Sequence, residues 1–175
     1  RPPGAQSTQD TQLPSGLQIG TGVRTVATEK IFKQGNLVQT ENCLDLAVEG
    51  RGFFQILMPN GDLGYTRDGS FQVNAEGQVV MSNGYPLQPG LTVPQGAQTV
   101  TIGSDGTVTA QLAGQTAPQN LGVLQLADFV NPAGLQAVGE NLYLETAASG
   151  AAQQANPGQN GVGTVIQGSL ETSNV

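Results

Sequence analysis

Histidine and tryptophan are absent from this 175-residue sequence, and cysteine occurs once. Without histidine, the commonest general base and the commonest metal ligand are both missing. A Ser-His-Asp or Cys-His arrangement cannot be built. One thiol permits neither an internal disulfide nor a thiolate zinc site. That thiol, Cys43, lies in Asn42-Cys43-Leu44-Asp45-Leu46 beside a strand-like run, where it is expected to be a small buried apolar group, not a nucleophile. No apolar run approaches the length needed to cross a bilayer as a helix. Arg1-Pro2-Pro3-Gly4 leads into polar residues, unlike the apolar stretch of a signal peptide. The opening without Met and the ending at Ser173-Asn174-Val175 are expected of a piece of a longer protein.

Charge is scarce and one-sided. All six bases (Arg1, Arg24, Lys30, Lys33, Arg51 and Arg67) fall in the first 67 positions, and from Asp68 onward there are seven acids and no base. Such a surface repels nucleic acid and anionic lipid, so neither nucleic-acid binding nor membrane insertion is expected. Two readings of the acidic half stay open: a solvated soluble face, or a face that docks on basic surface of a neighbouring copy or another partner. Pairs such as Glu145 with Glu171, or Asp68 with Asp105, keep a glycosidase-like carboxylate site formally open. The lack of tryptophan, with only three tyrosines, counts against such a carbohydrate-cleaving site. No calcium loop is present; Asn60-Gly61-Asp62 and Ser104-Asp105-Gly106 read as turns. Gly20-Thr21-Gly22 starts like a dinucleotide fingerprint but has Thr25 at the third glycine position and no helix after it. No cofactor and no enzymatic activity are expected.

The positive signal is strand and turn rhythm. With 25 glycines and no helical pattern of three turns, the spacing predicts an all-β, hairpin-rich sandwich or barrel-like body with an extended N-terminal β arm. Residues 1–16 are polar and proline-bearing, and Leu17 to Phe32 alternates like an extended arm. The division is therefore an arm or linker over residues 1–33 and a body over 34–175. In the body, Leu44, Leu46 and Val48 alternate with polar neighbours as a strand with one buried face. Gly50-Arg51-Gly52 bends the chain into Phe53–Met58, and Asn60-Gly61 returns it through Leu63–Arg67. Glu76-Gly77 joins Ser70–Val73 to Gln78–Met81, and Asp105-Gly106 joins Thr99–Ile102 to Thr107–Ala110. Leu121 to Phe129 reads as one apolar, central strand, and Asn131-Pro132-Ala133-Gly134 as a turn opening a helical turn near Leu135.

Several runs resemble the bacterial flagellar rod and hook axial protein family. They are Leu13–Arg24 (LPSGLQIGTGVR), Gln34-Gly35-Asn36-Leu37 leading to Val48–Gln55 (VEGRGFFQ), Tyr65–Phe71 (YTRDGSF), Gly139-Glu140-Asn141-Leu142-Tyr143, and Gln167–Val175. The order and spacing match over essentially the whole chain, and Leu13–Arg24 favours the distal rod members. The resemblance implies a structural subunit that stacks with its own copies into a hollow helical tube. That tube is the drive shaft from motor to hook through the periplasm, joined to proximal rod and hook subunits and surrounded by the P and L rings. It also implies terminal helical segments forming the tube core, with this chain matching the middle. A disulfide would obstruct the export of an unfolded axial subunit, and one cysteine cannot form one internally. The arm is expected to contact neighbouring subunits through Val23, Thr25 and Ala27, with Arg24, Lys30 and Lys33 reaching acids of an adjacent copy; a plain linker is the alternative. The rival functions are a secreted carbohydrate-binding or adhesin β module and a glycan-cleaving β enzyme.

Overall fold

The computed structural model describes residues 32–172. The expected β arm at Leu17–Phe32 lies outside them except for its last residue. The described residues contain fifteen short strands and one 3-10 turn. The strands are β1 (Leu37–Gln39), β2 (Leu46–Glu49), β3 (Phe53–Leu57), β4 (Leu63–Thr66), β5 (Phe71–Val73), β6 (Val79–Met81), β7 (Ala97–Ile102) and β8 (Thr107–Leu112). They continue as β9 (Gln119–Val123), β10 (Leu126–Asp128), β11 (Gln136–Gly139), β12 (Leu142–Leu144), β13 (Gln153–Ala155), β14 (Thr164–Gln167) and β15 (Ser169–Glu171). The 3-10 turn at Pro132–Gly134 sits where the Asn131–Gly134 sequence predicts a turn. Every pairing is antiparallel, so the architecture is all-β.

The largest sheet has six strands in the order β11-β12-β4-β3-β10-β13, accompanied by a three-stranded sheet β9-β8-β7 and the pairs β14-β2, β15-β1 and β5-β6. Side chains alternate across a strand, and in β3 that alternation feeds two cores. Phe54 and Ile56 join the main cluster with Leu46, Val48, Leu87, Leu124 and Leu126. Phe53, on the opposite face, joins a smaller aromatic cluster with Tyr65, Phe129 and Leu135. Gln55 on that same face is fully buried. It remains satisfied because it accepts from Gln154 Nε2 at 2.9 Å and donates to the Gln88 carbonyl at 3.3 Å. In the aromatic cluster, Phe32 meets Phe53 and Tyr143 edge-on, with centroids 5.3 and 5.1 Å apart, a geometry that brings a positive ring edge to a negative face.

The three predicted hairpins are present as β3–β4, β5–β6 and β7–β8. Three expectations are corrected. Cys43 is exposed: Asn42 forms a turn, its Oδ1 accepting from Leu44 N and its carbonyl from Asp45 N, so the strand begins beyond the thiol. The run around β2 is not buried on one face only, because Asp45 and Ala47 are buried along with Leu46 and Val48. Finally, Leu121 to Phe129 is two strands in two sheets. A bulge between Asn120 and Gly122, the latter at φ +137°, turns the chain out of β9, and β10 alone lies centrally between β3 and β13.

Candidate functional site at the neck of the body

β1 pairs with β15 although 130 residues separate Gln39 from Ser169. The chain therefore enters and leaves the body side by side, and the two crossings are in close contact. A Cβ on Gly35 would lie 1.9 Å from the Thr172 carbonyl oxygen, so only glycine fits there. Thr172 N donates to the Asn36 carbonyl at 2.8 Å.

A polar clasp closes this neck. Arg67, at the end of β4, donates from Nε to Glu171 Oε1 and from Nη2 to Glu171 Oε2, both at 2.9 Å. Its Nη1 donates to the carbonyls of Gly50 and Gly52 at 2.8 and 2.7 Å, and Nη2 also reaches the Val48 carbonyl at 3.1 Å. These five bonds use every donor a guanidinium has. Glu171 Oε2 additionally accepts from Gln34 Nε2 and Gly35 N, each at 2.7 Å, while Gln34 Oε1 accepts from Gly50 N at 2.8 Å. Gly50 and Gly52 hold φ of +114° and +129°, and this loop presents their two carbonyls to the one cation. The pair is largely withdrawn from water, with side-chain exposures of 19% for Arg67 and 8% for Glu171.

Beside the clasp lies a cleft of about 310 Å³ lined by Phe32, Gln34, Arg51, Phe53, Arg67 and Asp128, among others. Arg51 forms an outer ion pair with Asp128, Nε to Oδ2 at 3.2 Å, but its side chain is 59% exposed. Both guanidiniums are committed to carboxylates, so the arrangement restrains backbone and does not transfer protons. Among the described residues no group of three or more His, Cys, Asp or Glu side chains is placed to hold a metal ion. The acids considered for a hydrolytic pair are each engaged locally: Glu171 by Arg67, Asp68 by Ser70 and Asn141, Asp105 by Thr107, and Glu145 by Ala152 N. Hydrogen bonds from the Thr107 side chain and backbone N–H hold Asp105 below the usual carboxylate range. Burial, and secondarily the Glu145 charge, raises Tyr65 above the usual phenol value.

Of the residues expected in the contact arm, Lys33 is exposed, one position before Gln34 of the clasp. Val23, Arg24, Thr25, Ala27 and Lys30 lie outside the described residues. The sequence reading missed Arg67, Glu171 and Gln34 as a unit. The available signal was scarcity: only three bases occur between Phe32 and Thr172, against eleven acids, so each base is a candidate organiser.

Residues 47–110 match the family model described as the flagellar hook protein FlgE/F/G D1 domain. Over all 175 residues the chain is 51% identical to the flagellar basal-body rod protein FlgG of Buchnera aphidicola subsp. Schizaphis graminum, covering 100% of the chain and 67% of that relative. It is 47% identical to FlgG of Caulobacter vibrioides over 173 residues, 98% of the chain and 66% of the relative. For FlgG of Bacillus subtilis the identity is 38% over 164 residues, 90% of the chain and 61% of the relative. The chain belongs to the FlgG family of flagellar basal-body rod proteins. It is a structural rod subunit of the basal body and not an enzyme, and it spans about two thirds of the length of the first relatives it matches. The Buchnera alignment includes Gln34, Arg67 and Glu171, so the clasp lies wholly within the shared region.

Proposed function

We propose that the described body is the outer, β-rich part of a distal rod subunit, stacking helically with other copies into a hollow tube. This shaft carries torque from the motor to the hook across the periplasm, within the P and L rings, and meets proximal rod and hook subunits at its ends. The neck is the observation that carries the reading. Because β1 and β15 are adjacent and clasped, whatever precedes and follows the body leaves it from one place. Such a body attaches to a common inner layer by paired stalks. Residues 1–33 serve as an arm and 34–175 as the body. The arm lays Val23, Thr25 and Ala27 against a neighbouring copy while Arg24, Lys30 and Lys33 meet its acids. The excess of acids over bases in the body favours that pairing, since an acidic surface attracts a basic segment and repels its like.

The test is electron microscopy of the full-length protein with and without Gln6–Gly16, the stability of the body being measured separately. Straight tubes from the intact protein, and curved or flexible ones from the deletion with the body still folded, are expected. Failure of the intact protein to form filaments would refute the tube reading. Straight filaments from the deletion protein would return the segment to linker status.

A further inference from the structure

Three Asn-Gly dipeptides occur in the described residues, and the backbone treats one of them differently. Asn60-Gly61 and Asn83-Gly84 end their turns: Gly61 N donates to the Met58 carbonyl and Gly84 N to the Met81 carbonyl, each at 2.9 Å. Their asparagine side chains are also held, Asn60 Oδ1 by Asp62 N at 3.0 Å and Asn83 Oδ1 by Tyr85 N at 2.9 Å. Asn160-Gly161 instead forms the centre of a turn closed by Val162 N to the Gln159 carbonyl at 3.0 Å. Both central residues have positive φ, +51° and +83°, as a type I′ turn requires. In that geometry the glycine N–H is not the closing donor. Neither Gly161 N nor the Asn160 side chain makes a hydrogen bond among the described residues. Both residues are exposed, and a Cβ on Gly161 would meet nothing within 4 Å.

We propose that Asn160-Gly161 is a site of spontaneous deamidation in the folded protein. The Gly161 amide nitrogen, its proton removed by solvent base, attacks Asn160 Cγ. The side-chain amide leaves as ammonia and a five-membered succinimide forms. Water then opens the ring at either carbonyl, giving aspartate or isoaspartate. At the other two sites the nitrogen must first break its turn hydrogen bond and the asparagine its side-chain contact. The aspartate adds another acid to an already acidic body. Isoaspartate, which inserts Cβ into the main chain, strains a turn whose flanks are fixed. Val162 is buried, and Gly163 N donates to the Arg51 carbonyl at 2.7 Å. The modification therefore loosens the Arg51 side of the neck as the protein ages. This chemistry does not depend on assembly into a tube.

The test incubates the folded 175-residue chain and a urea-denatured sample in mildly alkaline buffer. Peptide mass spectrometry follows conversion of amide to acid at each asparagine, and an isoaspartyl methyltransferase labels the rearranged product. In the folded chain Asn160 should react at least threefold to tenfold faster than Asn60 or Asn83, since each of the two hydrogen bonds retained at those sites is worth roughly that factor. In the denatured chain the three should converge. Reaction at Asn60 or Asn83 as fast as at Asn160 in the folded chain would overturn the proposal, as would an inert Asn160 beside a reactive denatured control.

Discussion

Replacing Arg67 with methionine keeps most of the aliphatic stem and removes all five donors of the clasp. Glu171 then retains Gln34 and Gly35 N on Oε2 but loses both contacts to the cation, and three carbonyls lose a donor. Removing one partner of a buried ion pair costs about 3–5 kcal/mol, because the other charge stays buried. With 19% and 8% of the two side chains exposed, some water reaches the site, which places the expected loss near the lower end, about 3 kcal/mol. For a domain of this size that corresponds to a melting temperature lower by about 6–12 °C. Arg51→Met is the internal control: its side chain is 59% exposed, and exposed pairs contribute about 1 kcal/mol or less. The assay is urea unfolding of both variants, of Glu171→Leu, and of Arg67→Met combined with Glu171→Leu. The double variant removes the stranded carboxylate, so it should be less destabilised than the sum of its parts, with a coupling of about 1–3 kcal/mol. Amide exchange should show β1 and β15 losing protection before the main core. An Arg67→Met loss within 1 kcal/mol, or strict additivity in the cycle, would refute the argument that the clasp holds the neck.

Tyr65 gives a test in alkali. Its folded value lies above the ordinary phenol value of 10.0, so as pH rises through about 10 the unfolded chain releases its proton first and stability falls; below that range the effect is absent. Tyr65→Phe should flatten this alkaline loss in urea midpoints, and an unchanged slope would contradict it. Cys43 should react with a maleimide in the native protein at the rate of a free thiol. Cys43→Ser should change stability by no more than about 0.5 kcal/mol, as for an exposed position; labelling that requires unfolding would show the exposure to be wrong.

Local chemistry was legible in the sequence and long-range chemistry was not. The hairpins could be placed because their turns obey one rule: Gly61, Gly77 and Gly106 each take positive φ and donate to a carbonyl three residues earlier, which needs only neighbouring residues. Burial on both faces of β2 depends instead on what lies across it, including β14 some 120 residues later. The break inside Leu121–Phe129 turns on one glycine that could as well have been read as a tolerated strand residue. The clasp is the extreme case, because Arg67 and Glu171 are 104 positions apart. Composition marked each base as unusual but could not supply its partner. With no neighbour visible in the sequence, the charge of Glu171 suits half of a hydrolytic pair as well as it suits a clasp.

The choice of an ion pair at the neck has a physical consequence beyond stability. A well-packed apolar pair of similar volume is often as stabilising as a buried salt bridge, or more so, so the clasp is poorly explained as a source of stability. Apolar packing is non-directional, however, and tolerates small slides between strands. A guanidinium that must meet carbonyls at Val48, Gly50 and Gly52 and both oxygens of Glu171 satisfies all five only in one register. Gln34 repeats the device from the other side, donating to Glu171 and accepting from Gly50. In the proposed shaft, torque reaches each body through its two adjoining stalks, and a register that slips under shear would dissipate the twist within the subunit. The apolar double variant separates these two roles. If Arg67→Leu with Glu171→Leu restores the urea midpoint yet the full-length protein forms tubes of variable curvature, geometry is what the clasp contributes. If midpoint and straightness recover together, the clasp acts through stability alone.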